Sequence, residues 1–558
     1  MAKRPRITDE MTITKAFRVV AEWRGRRKAI IAPDEIISYD QLAQRVSHLA
    51  ESLKRLGLRK GDHLVTLLCS QPEFVYTFFA AAELGVVLFP LPPRMRLKQL
   101  EDYLKEIQPS LVIASHDIEI PHGMEMLQSL QRTRRGFNHL FIVDDGSSRQ
   151  TSFKALMDLS IPGGLTVEEK VDPGDLLIVL YTSGTTGKPK GVMHSHCGLM
   201  KPVISSIRLR EMWMDFFPTL RKLRRWLKVL VRYGMRLLNT VGRQQVFLST
   251  MSMHLVSGVE SMLQALLMGD QLVMVPRFHP VRYLETIERE RVTVLIGMPL
   301  AFRAIIGVNH FEHYRTSSLI ICGVGSAPCS PELAREIRKK FNCAVHIGFG
   351  LTETGGGISS TELEDSEEIQ AETVGQPMPG MEVRIVNEAR MPLQAGSVGE
   401  LACRSESLMM GFYGDDGDHN AVVDEEGWFY TGDLAVMDEK GYLRIVGRKK
   451  DMIIRGGQNI YPGKIENTLA EMEGVSEAAV VGYPDSLLGE SVCAFVILED
   501  GTQLKESDVL KTCRAQLEVY EIPQRVILRD DFPRSATGKP LKNKLREMIL
   551  EEVESHGK

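Results

Sequence analysis

Eleven residues, Tyr181-Thr-Ser-Gly-Thr-Thr-Gly-Lys-Pro-Lys-Gly191, follow directly on the apolar run Leu176-Leu-Ile-Val-Leu180 and constrain the chain more than any other stretch. A short aliphatic run bounded by turn residues reads as a buried strand, and a loop leaving such a strand lies where α/β proteins place their ligands. The stretch holds four aliphatic hydroxyls, three glycines and two lysines. Glycine lets backbone N–H groups approach an anion closely, hydroxyls donate, and ammonium groups offset charge, so this composition suits a polyphosphate. It is not a Walker A loop. That pattern needs four residues between its glycines and a Ser or Thr after its lysine, whereas two residues separate Gly184 from Gly187 and Pro189 follows Lys188.

Similar apolar runs alternate with helix-like stretches: Leu64–Cys69, Leu111–Ala114, Leu272–Val275, Val292–Ile296 and Leu319–Cys322. The alternation predicts layered α/β structure with largely parallel sheets. After about residue 380 the texture turns β-rich and turn-dense, with runs at Met381–Ile385, Gly399–Cys403, Trp428–Tyr430 and Tyr442–Ile445. A further change follows Gly447-Arg448, and the remainder suits one small α+β domain. The expected organisation is therefore a large N-terminal unit over residues 1–448 and a small, mobile C-terminal unit over 449–558.

Composition narrows the function classes. Lys and Arg number 68 against 72 Asp and Glu, a net charge of −4, so nothing global recruits nucleic acid. The eight cysteines are scattered, without a C-x-x-C pair or zinc spacing, which suits reduced thiols and a cytoplasmic location. The basic start runs into acids instead of an apolar stretch, so no secretory signal is expected. The most apolar long stretch, Phe247–Met268, carries His254, Glu260 and Gln264, which favours a core helix over a membrane span.

The loop at Thr182, Ser183, Gly184, Thr185, Thr186, Gly187 and Lys188 resembles the phosphate-binding signature of the adenylate-forming superfamily, which includes acyl-CoA synthetases, peptide-synthetase adenylation domains and firefly luciferase. Further matches follow in that family's order: Gly325-Ser326-Ala327, Phe349-Gly350-Leu351-Thr352-Glu353, Tyr430-Thr-Gly-Asp433, Gly447-Arg448-Lys-Lys450-Asp451 and Pro533–Lys539. Phe349 stands where the family more often has Tyr. The resemblance implies that Gly325, Ser326, Ala327, Phe349 and Gly350 bind adenine, and that Asp433 and Arg448 bind ribose. Thr352 would meet the α-phosphate, and Glu353 would hold Mg²⁺, a hard cation that takes oxygen ligands and is shared with phosphates. Lys539 would bridge the attacking carboxylate and the α-phosphate.

The implied chemistry has two steps. A carboxylate attacks the α-phosphorus of ATP and releases pyrophosphate, mainly through positioning and charge neutralisation. A thiol then displaces AMP, after the small domain pivots at Lys450 and withdraws Lys539. Ile454–Pro462 resembles the acyl-CoA synthetase form of its region, in which Gly456 and Gly457 let a pantetheine arm pass. With no carrier domain expected after Lys558, free coenzyme A is the expected acceptor. Transfer to a separate carrier protein and a non-catalytic adenylate-binding sensor are the alternatives. The acyl pocket is expected around His254, Val256, Val324, Gly348 and Leu351, although Ser249–Gly258 lacks the usual Pro of the family's P-x-x-H element. These neighbours are apolar or small, which points to a hydrophobic monocarboxylate, either a medium- or long-chain fatty acid or an alicyclic or aromatic one.

One segment stands apart. Residues 207–245 carry ten Lys or Arg against Glu211 and Asp215, a local charge of +8. Within Pro218–Leu238 the leucines at 220, 223, 227, 230, 237 and 238 recur mostly at three- and four-residue steps. Arg221, Arg225, Lys228, Arg232 and Arg236 repeat on another face. A basic amphipathic helix inserted into the family's core is expected, facing either an anionic membrane surface or protein, including a second copy in a homodimer.

Overall fold

The computed structural model describes residues 4–133, 136–143, 151–159, 170–182, 189–214, 227, 229–233, 243–414, 422–485, 487–499, 501–534 and 539–556. The phosphate-loop residues Ser183, Gly184, Thr185, Thr186, Gly187 and Lys188 and most of Pro218–Leu238 lie outside them.

The architecture is mixed α/β. Two large sheets share one helical core, and two smaller sheets follow them in sequence. The first large sheet has the strand order Gly411–Phe412, Lys190–Ser195, Leu176–Thr182, Val87–Pro90, His63–Leu67, Leu111–Ser115, His139–Val143. Its last five strands pair in parallel, as the continuous aliphatic runs require for strands covered on both faces. The second large sheet is parallel from Ala344–Leu351 through Ile321–Val324, Val294–Gly297, Val246–Ser249 and Gln271–Val273 to Lys28–Ile31, with antiparallel strands at both edges.

Helices Ile13–Arg24, Tyr39–Arg55, Pro72–Leu84 and Val256–Leu267 contribute to a core that also takes Leu64, Leu88 and Ile178 from the first sheet and Ile30, Phe247 and Leu272 from the second. These helices start where local chemistry dictates. Ser38 caps Tyr39–Arg55 in a reciprocal capping box with Gln41, and Pro72 opens Pro72–Leu84, its missing N–H being one the helix leaves unpaired anyway. The stretch Phe247–Met268, expected as one core helix, divides into the strand Val246–Ser249 and the twelve-residue helix Val256–Leu267. No helix among the described residues is long and apolar enough to cross a membrane.

The β-rich texture after residue 380 is the four-stranded antiparallel sheet Glu382–Val386, Val398–Arg404, Phe429–Met437, Leu443–Arg448. A one-turn 3₁₀ helix, Lys449–Asp451, leads into the last sheet, built on the long hairpin Val475–Asp485 and Gly489–Leu498 with helices Pro462–Ala470, Glu506–Gln516 and Lys542–His556.

In the basic segment, residue 227 and residues 229–233 are helical. The buried face does not follow the expected leucine stripe. Val229 is buried against Ile320, Ala344 and Leu363, with Tyr233 packed beside it, whereas Leu227 is 58% and Val231 81% exposed. Tyr233 explains the rotation: its hydroxyl accepts from Arg338 Nη1 at 3.1 Å, and Arg232 donates to the Asp365 carbonyl, so polar anchors set which face is covered.

Candidate active site

The strand Leu176–Thr182 returns as Lys190–Ser195, with Tyr181 opposite Gly191 and Thr182 opposite Lys190. The residues on either side of the glycine- and hydroxyl-rich stretch are thus paired across an antiparallel ladder. Its base is held by the Tyr181 hydroxyl, which donates to Glu106 Oε1 at 2.8 Å, and by Lys190, whose ammonium stands 4.8 Å above the Phe412 ring. Gly191 is required by packing, since a Cβ there would lie 2.8 Å from Val179 Cγ1.

The return strand ties this ladder to the Thr-Glu turn. His194 is fully buried, and its Nε2 donates to the Thr352 carbonyl at 2.6 Å. Burial lowers its pKa to about 4, so the imidazole is neutral. Thr352–Thr354 forms one 3₁₀ turn after the strand Ala344–Leu351. Thr354 Oγ1 accepts from the Leu351 N–H at 3.2 Å and donates to the Gly356 carbonyl at 2.7 Å, while the Glu353 carbonyl accepts from the Met409 N–H at 2.8 Å. The backbone of both candidate catalytic residues is therefore fixed from three sides.

Burial raises the Glu353 pKa; Arg448 and Lys190 oppose it and Asp433 adds to it. A carboxylate enclosed in this way gains most from a cation brought by a ligand. Asp433 is 4% exposed and stands opposite Arg448 in the ladder between Phe429–Met437 and Leu443–Arg448. Arg448 Nε donates to Asp433 Oδ1 at 2.9 Å, whereas Oδ2 is buried without a hydrogen-bond partner. An orphaned acceptor is costly, and vicinal hydroxyls are suited to satisfy it. Burial raises the Asp433 pKa, with Arg448 and Lys539 opposing. Lys539 keeps an exposed residue surface, yet desolvation and then Arg448 lower its pKa while Asp433 raises it. Asp433 and Arg448 thus lie within electrostatic reach of both Glu353 and Lys539. Lys450 joins them: burial and Arg448 lower its pKa, and Asp451 and Asp433 raise it.

The candidate adenine residues lie at neighbouring strand ends. Ile321–Val324 and Ala344–Leu351 run parallel, so Gly325 and Gly348 face each other, and a Cβ on Gly325 would come 3.3 Å from the Gly348 carbonyl. Ser326 sits at φ 64°, in the left-handed region, with Ala327 next in the loop. Phe349 is half-buried against the β-rich core. Gly350 has a packing reason of its own, because a Cβ there would collide with the Gly356 carbonyl. Gly456 (φ 56°) and Gly457 (φ 80°) close the hairpin between Ile453–Arg455 and Gln458–Ile460, a conformation that by itself favours glycine at both places.

Of the candidate acyl residues, Val256 (9% exposed) and Val324 (2%) belong to core clusters, and Leu351 is half-buried. His254 is half-buried with Nδ1 unpartnered, and burial lowers its pKa to about 4. The spacing of motifs gave no signal for His194, nor for Glu260, a carboxyl on the helix after His254.

The buried imidazoles have a consequence for stability. His194 and His196, both fully buried, are lowered from 6.5 to about 4, so the unfolded chain takes up their protons first as pH falls below 6.5. Stability is full above that pH and declines toward pH 4, by about 2 kcal/mol per imidazole at pH 5. In His194→Gln, which keeps a donor toward Thr352, the loss of urea stability between pH 7.5 and 5 is expected to be about 2 kcal/mol smaller than in the parent.

Comparison with known proteins shows the family. Residues 17–413 match the family model described as AMP-binding enzyme, and residues 464–539 match that of the AMP-binding enzyme C-terminal domain. The chain is 30% identical to the indoleacetate–CoA ligase of Aromatoleum aromaticum, covering 95% of this chain and 98% of that protein. It is 29% identical to the mitochondrial medium-chain acyl-CoA ligase ACSF2 of Homo sapiens, covering 96% and 87%. Among solved structures, ATP-bound MatB from Rhodopseudomonas palustris superposes with a TM-score of 0.79 at 25% identity, covering 96% of this chain and 99% of that one.

Proposed function

The chain belongs to the AMP-binding enzyme family, and from that premise we propose that it is an AMP-forming acyl-CoA synthetase acting on a hydrophobic monocarboxylate. The observation that supports this reading is the meeting of Lys539 with Asp433 and Arg448, the two groups whose charges also act on Glu353. Asp433 Oδ2 and Arg448 hold the ribose, and Thr352 meets the α-phosphate. Lys539 lies between the incoming carboxylate and that phosphate and offsets the charge that builds there. Glu353 suits Mg²⁺, since its enclosed carboxylate would offer a hard oxygen ligand of the kind that ion takes alongside phosphate. The bound ion would supply charge neutralisation of the leaving pyrophosphate.

The carboxylate attacks the α-phosphorus in line and pyrophosphate leaves; the coenzyme A thiol then attacks the acyl carbonyl and AMP leaves. Between the steps the C-terminal unit, residues 449–558, turns about Lys450, and the hairpin at Gly456 and Gly457 comes to border the pantetheine arm. The names of the relatives, a medium-chain acyl-CoA ligase and an indoleacetate–CoA ligase, support an apolar acid of this size range.

Acid-dependent ATP–pyrophosphate exchange across a panel of aliphatic and aromatic acids tests the first step. Product mass with coenzyme A against a holo-carrier protein tests the second. Nucleotide binding without exchange for any acid would overturn the assignment.

We also assign to residues 218–238 a reversible contact with anionic membrane, where a lipophilic acid partitions; the exposed Leu227 and Val231 beside Arg232 support it. Vesicles rich in phosphatidylserine should pellet the full chain at low salt and release it at high salt. Equal pelleting of a variant lacking residues 218–238 removes this contact.

A further inference from the structure

Glu260 lies on the helix Val256–Leu267, six residues after His254. The start of that helix is pinned by a close crossing, because a Cβ on Gly258 would collide with the Ser252 carbonyl. From there the Glu260 side chain runs to the strand Gly356–Ser360, which leaves the Thr352–Thr354 turn. Its Oε2 stands 2.5 Å from the place a Cβ on Gly356 would occupy, so the carboxyl fills the space of the side chain that the strand lacks. The Gly357 N–H donates to it, as does Gln264 Nε2 at 3.1 Å, and Gln264 also donates to Ser206 Oγ at 3.2 Å.

Glu260 therefore stands in the wall between the His254 helix and the strand that continues from Thr352 and Glu353. Two donors use about half of the positions at which a carboxylate accepts. Among the described residues no cation pairs with it, and burial pushes its pKa up to about 7. Part of the residue's surface nevertheless remains accessible. A carboxyl in such a place is costly as packing alone, where an apolar residue of the same volume would serve.

We propose that Glu260 determines substrate specificity, its carboxyl accepting a hydrogen bond from a hydroxyl or amino group at the far end of the acid. This rests on the acyl-CoA synthetase reading and deepens it: the substrate is an apolar monocarboxylate that ends in a hydrogen-bond donor. Above pH 7, where it is ionised, the same carboxyl turns away dicarboxylates, whose second charge would face it unpaired.

The test compares kcat/KM in pyrophosphate exchange within matched pairs: phenylacetate against 4-hydroxyphenylacetate and 4-aminophenylacetate, and hexanoate against 6-hydroxyhexanoate. The donor-bearing acid is expected to win by about tenfold or more in at least one pair, the size of one hydrogen bond to a charged group. Glu260→Leu should abolish that preference. Glu260→Gln, which keeps the shape and an acceptor oxygen, should retain part of it for the hydroxyl and the arylamino acids alike. Unsubstituted acids used equally well or better in every pair, or a donor preference that survives in Glu260→Leu, overturns the proposal. Should the leucine variant not fold, the parent pairs and the glutamine variant decide. Exchange without a donor preference removes the role of Glu260 alone, whereas absence of exchange with every acid removes the ligase reading as well.

Discussion

Lys539→Ala is expected to lose acid-dependent ATP–pyrophosphate exchange by about 10²- to 10³-fold, the usual cost of removing one group aimed at developing charge. The same variant should still form thioester from preformed acyl adenylate and coenzyme A. The split follows from position: desolvation and the Arg448 charge depress the Lys539 pKa while Asp433 supports it, so its ammonium stands beside the two residues proposed to hold the ribose. That is where the first step builds negative charge at phosphorus. In the proposed mechanism the second step proceeds at the acyl carbon after the C-terminal unit has turned, and it has no use for the lysine. Comparable losses in both assays would contradict the role. Lys539→Arg makes a useful companion, because it keeps the charge but spreads it over a wider fork.

Asp270→Ala is expected to cost about 3–5 kcal/mol of stability in urea unfolding, because it leaves a buried cation without its partner. Asp270 is fully buried; its carboxylate is ion-paired with Arg210 and accepts from the Gln245 N–H at 2.8 Å. Arg24 and Arg4 also stand within electrostatic reach, so several positive charges depend on this one carboxylate. Its backbone carbonyl takes the Tyr39 hydroxyl at 2.6 Å. The aspartate thus joins the second sheet to helix Tyr39–Arg55 and to helix His196–Met214. The double variant Asp270→Leu, Arg210→Met should be less destabilised than Asp270→Ala, since apolar groups of similar volume replace the pair instead of orphaning it. A loss below 1 kcal/mol in Asp270→Ala would show that the cluster is solvated in solution.

The strands were legible because their signal is local. Aliphatic runs at Leu111–Ala114, Leu176–Leu180 and Leu319–Cys322 appear as strands shifted by at most two residues, since a strand covered on both faces has little other use for consecutive β-formers. The basic segment was legible in composition but not in orientation. Its leucine spacing gave a period without a phase, and Tyr233 with Arg338 supplied the phase through a contact to a distant helix. The glycines show the same limit from the other side. Gly350 and Gly456 were assigned to ligands by their place in motifs, and the structure gives each a packing or turn reason that holds with no ligand bound.

The sequence by itself determined the chemistry on offer: a hydroxyl- and glycine-rich loop after a buried strand, a Thr-Glu pair after a strand end, and an acid and a base in the turn-dense region. Residue identity and short spacing carry that information, because they fix local backbone and functional groups. Only the tertiary structure decided which of those groups act together. Lys539 reaches Asp433 and Arg448, Asp270 neutralises Arg210 from 60 residues away, and the Glu260 carboxyl occupies the room left at Gly356. These encounters depend on how sheets and helices close over one another, and no periodicity within either partner's own segment records them.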